Sequence, residues 1–150
     1  MKTRLYYLAL LSLLNSAPIY SAEDSPIVIN WQILQAVEFK SKYVKEVNFE
    51  MLFPIFTNQL LKLNGQKVII SGYCVPFDKN NRKIALSATN YASCFFCGKA
   101  GPASVMTINL KNPTKYKLDA FKFFSGTLKL NDSNINEFYY ILEDAIELKK

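Results

Sequence analysis

Alternation of hydrophobic and polar positions dominates the second half of the chain and predicts β-strands. Five segments show this pattern and are rich in β-branched and aromatic residues. They cover residues 67–75, 83–88, 104–110, 121–130 and 139–148, with turn-forming Asn, Asp or Pro between them. Gly72 and Gly126 lie inside the first and fourth segments, where a small barrel needs its strands to bend. The pattern therefore predicts a mainly β fold, a small five-stranded OB-like barrel that is partly open, with short N-terminal helical segments. Another small β-barrel or a β-sandwich is the alternative.

One side of each predicted strand carries large aliphatic residues. Because side chains alternate across a strand, these residues are expected to fill the barrel together. The predicted core residues are Val68, Ile70, Leu86, Ile108, Leu128 and Ile141.

The region before residue 65 has a different pattern. Val28, Trp31, Leu34 and Val37 recur about every three residues, which favours a short helix or an irregular packing segment. Residues 37–47 alternate between charged and apolar positions and predict a strand pair or an edge ribbon. Residues 57–63 predict a second brief helix that ends at Asn64 and Gly65.

The first 22 residues are expected to be a secretory signal peptide. Lys2 and Arg4 precede an apolar run over residues 5–14, which is about half the length of a membrane-spanning helix. Cleavage is expected after Ala22, Ala17 or Ser21, and an uncleaved anchor is the alternative. The predicted organisation is a signal peptide (1–22), an N-terminal extension packing on the barrel (23–64) and the OB-like barrel (65–150). The expected location is periplasmic or extracellular, with no transmembrane span after signal removal.

Charge and composition narrow the function classes. Removing Lys2 and Arg4 leaves 16 basic and 12 acidic residues, a net charge of +4, and Arg82 is then the single arginine. The lysines are scattered except around Lys111, Lys115, Lys117 and Lys122. This distribution suits a solvated surface and argues against a nucleic-acid partner. The chain has no histidine, so histidine-based catalysis is excluded and an enzyme is not expected.

One stretch of the sequence combines cysteine, aromatic, glycine and proline residues more densely than any other. It contains Cys94, Phe95, Phe96, Cys97, Gly98, Lys99, Gly101 and Pro102. Gly98 and Gly101 permit a positive φ, and Pro102 disfavours the helical region for Gly101. The stretch predicts a shaped binding or structural loop.

The two cysteines of this loop allow several states. Cys94 and Cys97 are close enough in sequence for a disulfide, which an oxidising compartment favours. They could instead be a thiol-redox pair, with Lys99 stabilising a thiolate, or two free buried thiols. A zinc clip is a further alternative, but it needs Cys74 and an oxygen ligand such as Asp78 in addition. The leading expectation is no cofactor, a Cys94–Cys97 pair, and Cys74 as a lone buried thiol.

Several strings of residues resemble an uncharacterised group of secreted Bacteroidetes proteins, which is similar to the DUF3299 family. The strings are Gly72-Tyr73-x-x-Pro76, Leu86-Ser87, Cys94-Phe95-Phe96-Cys97-Gly98-x-Ala100-Gly101-Pro102, Gly126-x-Leu128-x-Leu130 and Tyr139-x-Ile141-Leu142-x-x-Ala145. The resemblance extends over residues 31–146, and the cysteine string is its specific part. It implies an exported, OB-like protein and implies no activity.

The sequence thus favours an exported, non-enzymatic binding or accessory domain whose partner is an unknown protein or small ligand of the cell envelope. The alternative is a periplasmic thiol-redox or metal-binding protein that uses the cysteine loop. The tyrosines could also line a groove and stack on a ligand, although most suit core edges. These are Tyr73, Tyr91, Tyr116, Tyr139 and Tyr140.

Overall fold

The computed structural model of the chain describes residues 25–93 and 100–149. It contains eight strands, β1 (Ile27–Val28), β2 (Glu38–Val44), β3 (Phe49–Ile55), β4 (Lys67–Pro76), β5 (Lys83–Ser87), β6 (Val105–Leu110), β7 (Phe121–Leu130) and β8 (Tyr140–Glu147). Two short helices are present, α1 (Trp31–Gln35) and α2 (Asn58–Leu63), together with 3-10 turns at Tyr91–Ser93 and Pro102–Ser104.

Five of the strands form a closed barrel. The strand order is β4-β5-β6-β8-β7, and β7 pairs again with β4 to complete the ring. All pairings in the ring are antiparallel except that of β6 with β8. This is the predicted mainly β, five-stranded, OB-like architecture, although here the ring of strand pairings is closed rather than partly open. The predicted strand bounds differ from the observed ones by no more than one residue at either end.

Both glycines predicted at bends lie where two strands approach closely. A Cβ at Gly72 would be 2.6 Å from the carbonyl oxygen of Ser87, and one at Gly126 would be 2.6 Å from that of Glu143. The β7–β8 pairing also shifts its register between Ser125 and Thr127, as expected of a bulge. Glycine is needed at both positions because any side chain would push the neighbouring backbone away.

The barrel interior is the main hydrophobic core. Five of the six predicted core residues belong to it, but Ile141 does not. Ile141 is 5% exposed and lines a surface cavity with Asn109 and Glu143, whereas its neighbours Tyr140 and Leu142 face the core. Assigning Ile141 to the barrel core was therefore wrong, because alternation along β8 places it on the opposite face.

The region before β4 packs on the barrel through a few specific contacts. β1 pairs in parallel with β4, and the Trp31 indole donates a hydrogen bond to the Ser71 carbonyl at 2.8 Å. Leu34 of α1 and Leu60 of α2 are fully buried members of the core. The side chains of Asn30 and Thr57 cap the two helices at their N-termini.

The predicted ribbon is a hairpin of β2 and β3. Its first strand lies within the predicted segment 37–47, but its second strand is residues 49–55, which the sequence pattern had not paired with it. Tyr43, Phe49, Leu52 and Ile55 are exposed along it. The hairpin is therefore a separate two-stranded sheet beside the barrel, with apolar side chains in solvent.

Candidate functional site

The β7–β8 loop, residues 131–139, is built around the side chain of Asn131. This residue is only 8% exposed. Its amide nitrogen donates to the carbonyls of Asn134 (2.8 Å), Glu137 and Phe138 (both 3.2 Å). Its amide oxygen accepts from the backbone N–H groups of Ser133 and Asn134. One buried amide thus satisfies the polar groups of the loop and fixes its shape.

Two residues of this loop pack on the outer face of β5 and β6. The Glu137 carboxylate accepts from the Lys83 ammonium at 2.8 Å and from the Thr107 hydroxyl at 3.2 Å. Phe138 packs against the small cluster formed by Val75, Ala85 and Val105. OB barrels commonly bind ligands on this face. Here the loop covers part of it, and Glu137 neutralises the lysine, which makes the face a poor match for a polyanion.

A surface cavity of about 430 Å³ remains beside this covered face. It lies between the β4–β5 loop, residues 77–82, and the β7–β8 loop. Its lining residues are Phe77, Lys83, Thr107, Ile135, Asn136, Glu137 and Phe138.

On its other side the β7–β8 loop faces strand β3 across a second cavity, of about 220 Å³. We call this cavity the β3 groove. Met51, Leu52 and Phe53 form one wall, Ile135, Phe138 and Tyr139 belong to the other, and Pro102 also lines it. Asn131, Ser133, Asn134 and Glu137 supply polar atoms. An apolar cavity with a few fixed polar groups is the usual form of a ligand-binding pocket.

Tyr139 holds the two walls of the β3 groove together. Its hydroxyl donates a hydrogen bond to the Leu52 carbonyl, and its ring lies 5.6 Å from that of Phe39 in β2. Partial burial raises the pKa of the Tyr139 hydroxyl, which keeps it protonated and able to donate. The hairpin is therefore fixed against the loop, and the groove is pre-formed.

The predicted cysteine loop is largely outside the described residues. Cys94, Phe95, Phe96, Cys97, Gly98 and Lys99 all fall there. Gly101 and Pro102 are described, and Pro102 opens the 3-10 turn at Pro102–Ser104. Gly101 has φ −70° and ψ 163°, so it uses no positive φ, and it avoids the helical region as expected of a residue before proline. Pro102 places this end of the loop beside the β3 groove.

The third cysteine lies inside the barrel. Cys74 is a free thiol that is fully buried in the core cluster. Burial raises its pKa to about 12, so at neutral pH it is a neutral thiol. A small apolar thiol of this kind behaves as a core residue.

The carboxylate of Asp78, the suggested oxygen ligand, is already hydrogen-bonded to the backbone of its own turn. Its carboxylate accepts from the backbone N–H groups of Asn80 (3.1 Å), Arg82 (2.8 Å) and Lys83 (3.1 Å). These bonds lower the pKa of the carboxyl group. Within residues 25–93 and 100–149, no group of three or more Cys, Asp and Glu side chains is arranged to hold a metal ion.

Sequence reasoning missed the residues that shape the groove. The segment 131–134 was interpreted only as a turn, and neither Asn131 nor Glu137 was considered. Of the five tyrosines considered for a ligand groove, Tyr139 lines the β3 groove, whereas Tyr116 and Tyr140 are core residues. The available signal was the concentration of three asparagines and a glutamate between two strands.

The fold and the loop-flanked barrel face define the chain as a small OB-like β-barrel. A search of solved structures finds similarity to the crystal structure of a DUF3299 family protein from Pseudomonas aeruginosa PAO1, with a TM-score of 0.53 and 11% sequence identity. The similarity covers 84% of this chain and 98% of that one. No family model and no curated protein matches the sequence. At this identity the similarity shows the fold alone.

Among the described residues, no helix has the length and apolarity needed to cross a membrane.

Proposed function

We propose that this protein is an exported, non-enzymatic binding or accessory domain that takes a protein or small ligand of the cell envelope in the β3 groove. The observation that carries the proposal is the pre-formed groove. Asn131 fixes one wall, the Tyr139–Leu52 hydrogen bond holds the other, and apolar side chains line the space between them. A site that needs no rearrangement to bind avoids the conformational entropy cost of ordering its walls on association.

The lining of the groove suggests the chemistry of its ligand. Leu52, Phe53 and Ile135 suit an apolar side chain or ring, and polar residues of the β7–β8 loop such as Ser133 and Asn134 lie beside them. The Glu137 carboxylate, already bound to Lys83, disfavours a nucleic acid. We therefore propose a protein segment or small molecule with an apolar anchor.

The remaining parts of the proposal concern export, the domain organisation of the chain and the state of the cysteine loop. Residues 1–22 would be removed on export, residues 23–64 would be an extension supporting the barrel at 65–150, and the mature protein would be periplasmic or extracellular. The chain would share the Cys94–Pro102 string with secreted Bacteroidetes proteins. In the cysteine loop, Cys94 and Cys97 would form a structural disulfide without a cofactor.

The groove is tested by affinity capture of partners from the cell envelope, followed by mass spectrometry. Wild-type protein is compared with Leu52→Glu, which places a carboxylate in the groove, and with Ile55→Glu. The side chains of Leu52 and Ile55 are similarly exposed, at 48% and 50%, and lie on the same strand, but only Leu52 lines the groove. We expect wild type and Ile55→Glu to capture the same partner in similar amounts. Leu52→Glu should capture at least about tenfold less of it, because binding would desolvate the new carboxylate.

The thiol-redox alternative is tested with the same protein preparation. Failure to capture any partner, together with turnover in an insulin-reduction assay, would replace the binding proposal with an oxidoreductase. None of the described residues favours that alternative, because the one described cysteine is a buried neutral thiol.

The cysteine states are tested by differential alkylation. In the native protein Cys74 should stay unlabelled, since it is buried and protonated, and it should label after unfolding. The Cys94–Cys97 peptide should show the mass deficit of two hydrogens that a disulfide produces. A cross-linked Cys74 peptide, or stoichiometric zinc by elemental analysis, would instead support a site made of three thiols.

A further inference from the structure

The strand directions bring two loops that carry basic residues to one end of the barrel. Because β5 is antiparallel to both β4 and β6, the C-terminal ends of β4 and β6 lie at the same end. The β4–β5 loop (77–82) and the β6–β7 loop (111–120) therefore leave the barrel together. They are also directly joined, because the Thr114 N–H donates to the Asn81 carbonyl at 3.0 Å.

This end of the barrel carries an exposed cluster of cations, which we call the basic end. Its members are Lys79, Arg82, Lys111, Lys115 and Lys117. All five are exposed, and in the part of the chain that the structure describes none of them forms an ion pair. Together with Asp78 and Asp119, they give the two loops a net charge of +3, which is most of the +4 of the chain without its first 22 residues.

The two acidic residues of these loops have their carboxylates engaged with backbone. Asp78 accepts three N–H groups of its own turn, and Asp119 accepts the Tyr91 N–H at 2.7 Å. Within the described part of the chain, neither carboxylate forms an ion pair with the cations of the basic end, so these cations are available to an external anion.

The β6–β7 loop is held rigidly by the residue between two of its lysines. Tyr116 is buried, and its ring packs edge-on against Phe124 at 5.5 Å. Burial, with the Glu147 carboxylate as a smaller cause, raises the pKa of the Tyr116 hydroxyl, and Glu147 accepts a hydrogen bond from the Lys122 ammonium at 2.7 Å. With Tyr116 anchored, Lys115, Lys117 and the following Leu118 remain in solvent. Leu118 is 51% exposed and lies among the cations.

We propose that the basic end docks on the surface of an anionic phospholipid membrane. The cations would contact lipid phosphates, and Leu118 would enter the boundary between headgroups and acyl chains. An exposed leucine next to several cations suits a membrane surface, where the cations contact phosphates and the leucine reaches the apolar boundary. The proposal concerns a different surface from the β3 groove and does not depend on it.

Vesicle co-sedimentation tests this proposal with defined lipids. We expect binding to vesicles containing phosphatidylglycerol, weakening as salt rises, and none to pure phosphatidylcholine. Replacing Lys111, Lys115 and Lys117 by Gln should weaken binding by at least about tenfold, because it removes three of the five cations of the basic end. Leu118→Ser should weaken the binding of the otherwise wild-type protein to these vesicles. The effect should be larger at high salt, where the apolar contact dominates.

The matched control removes the same charge elsewhere. Replacing Lys40, Lys42 and Lys45 of the β2–β3 hairpin by Gln should change vesicle binding by no more than about twofold. Equal loss with both triple variants would show that only total charge matters and would overturn the proposal. So would absence of binding to phosphatidylglycerol vesicles at low salt, or stronger binding to soluble polyglutamate or single-stranded DNA than to vesicles. Because all substituted lysines are exposed, an unchanged melting temperature verifies that the variants are folded.

Discussion

Replacing Gly126 by alanine is expected to reduce the free energy of unfolding by about 1–3 kcal/mol or more. The new Cβ would lie 2.6 Å from the backbone oxygen of Glu143 and 2.9 Å from Cγ of Leu142. Both atoms belong to β8, which pairs with β7 at this point, so relief requires the two strands to separate. Urea denaturation followed by circular dichroism measures the loss.

Gly101→Ala is the control for this prediction. A Cβ at Gly101 has no heavy atom within 4 Å, and its φ of −70° is open to any residue. This variant should be as stable as the wild type, or more stable by up to about 1 kcal/mol, because alanine restricts the unfolded chain. If the two alanine variants lost similar stability, the close approach at Gly126 would not be the cause.

The sequence pattern predicted the barrel strands because two signals coincided. Alternation along residues such as Val68, Ile70 and Leu128 identified which side faces the core, and β-branched residues supported the strand assignment. Gly72 and Gly126 marked the bends, since glycine within a strand otherwise weakens it.

The same reasoning failed in β8, where the signal is ambiguous. Tyr140, Ile141 and Leu142 are three consecutive apolar residues, so alternation does not determine which of them face inward. The structure selects Tyr140 and Leu142, and the Tyr140 hydroxyl donates to the Leu34 carbonyl at 2.6 Å. Since that partner lies 106 residues earlier in the chain, a local pattern could not have revealed it.

The β3 groove was unpredictable for a related reason. Its walls depend on the pairing of Tyr139 with Leu52 and of Glu137 with Lys83, which are 87 and 54 residues apart. Of the loop residues selected from the sequence, Pro102 lines the groove, whereas residues 94–99 lie outside the described residues. Tertiary contacts therefore determine the shape of the groove, and a local sequence pattern does not contain them.

Leu128→Ala should cost about 2–5 kcal/mol of unfolding free energy, the range observed when a fully buried leucine is truncated. Leu128 is 0% exposed and packs in the barrel core, opposite Leu142 of β8. Its backbone N–H and carbonyl also bond to Gln66 and Gly65, so the strand is held in place and cannot collapse into the cavity. Leu61→Ala removes the same atoms from a side chain that is 52% exposed on α2 and should cost less than about 1 kcal/mol. Chemical denaturation of both variants measures the difference, and equal stability of Leu128→Ala and wild type would contradict the core that the strand pairing defines.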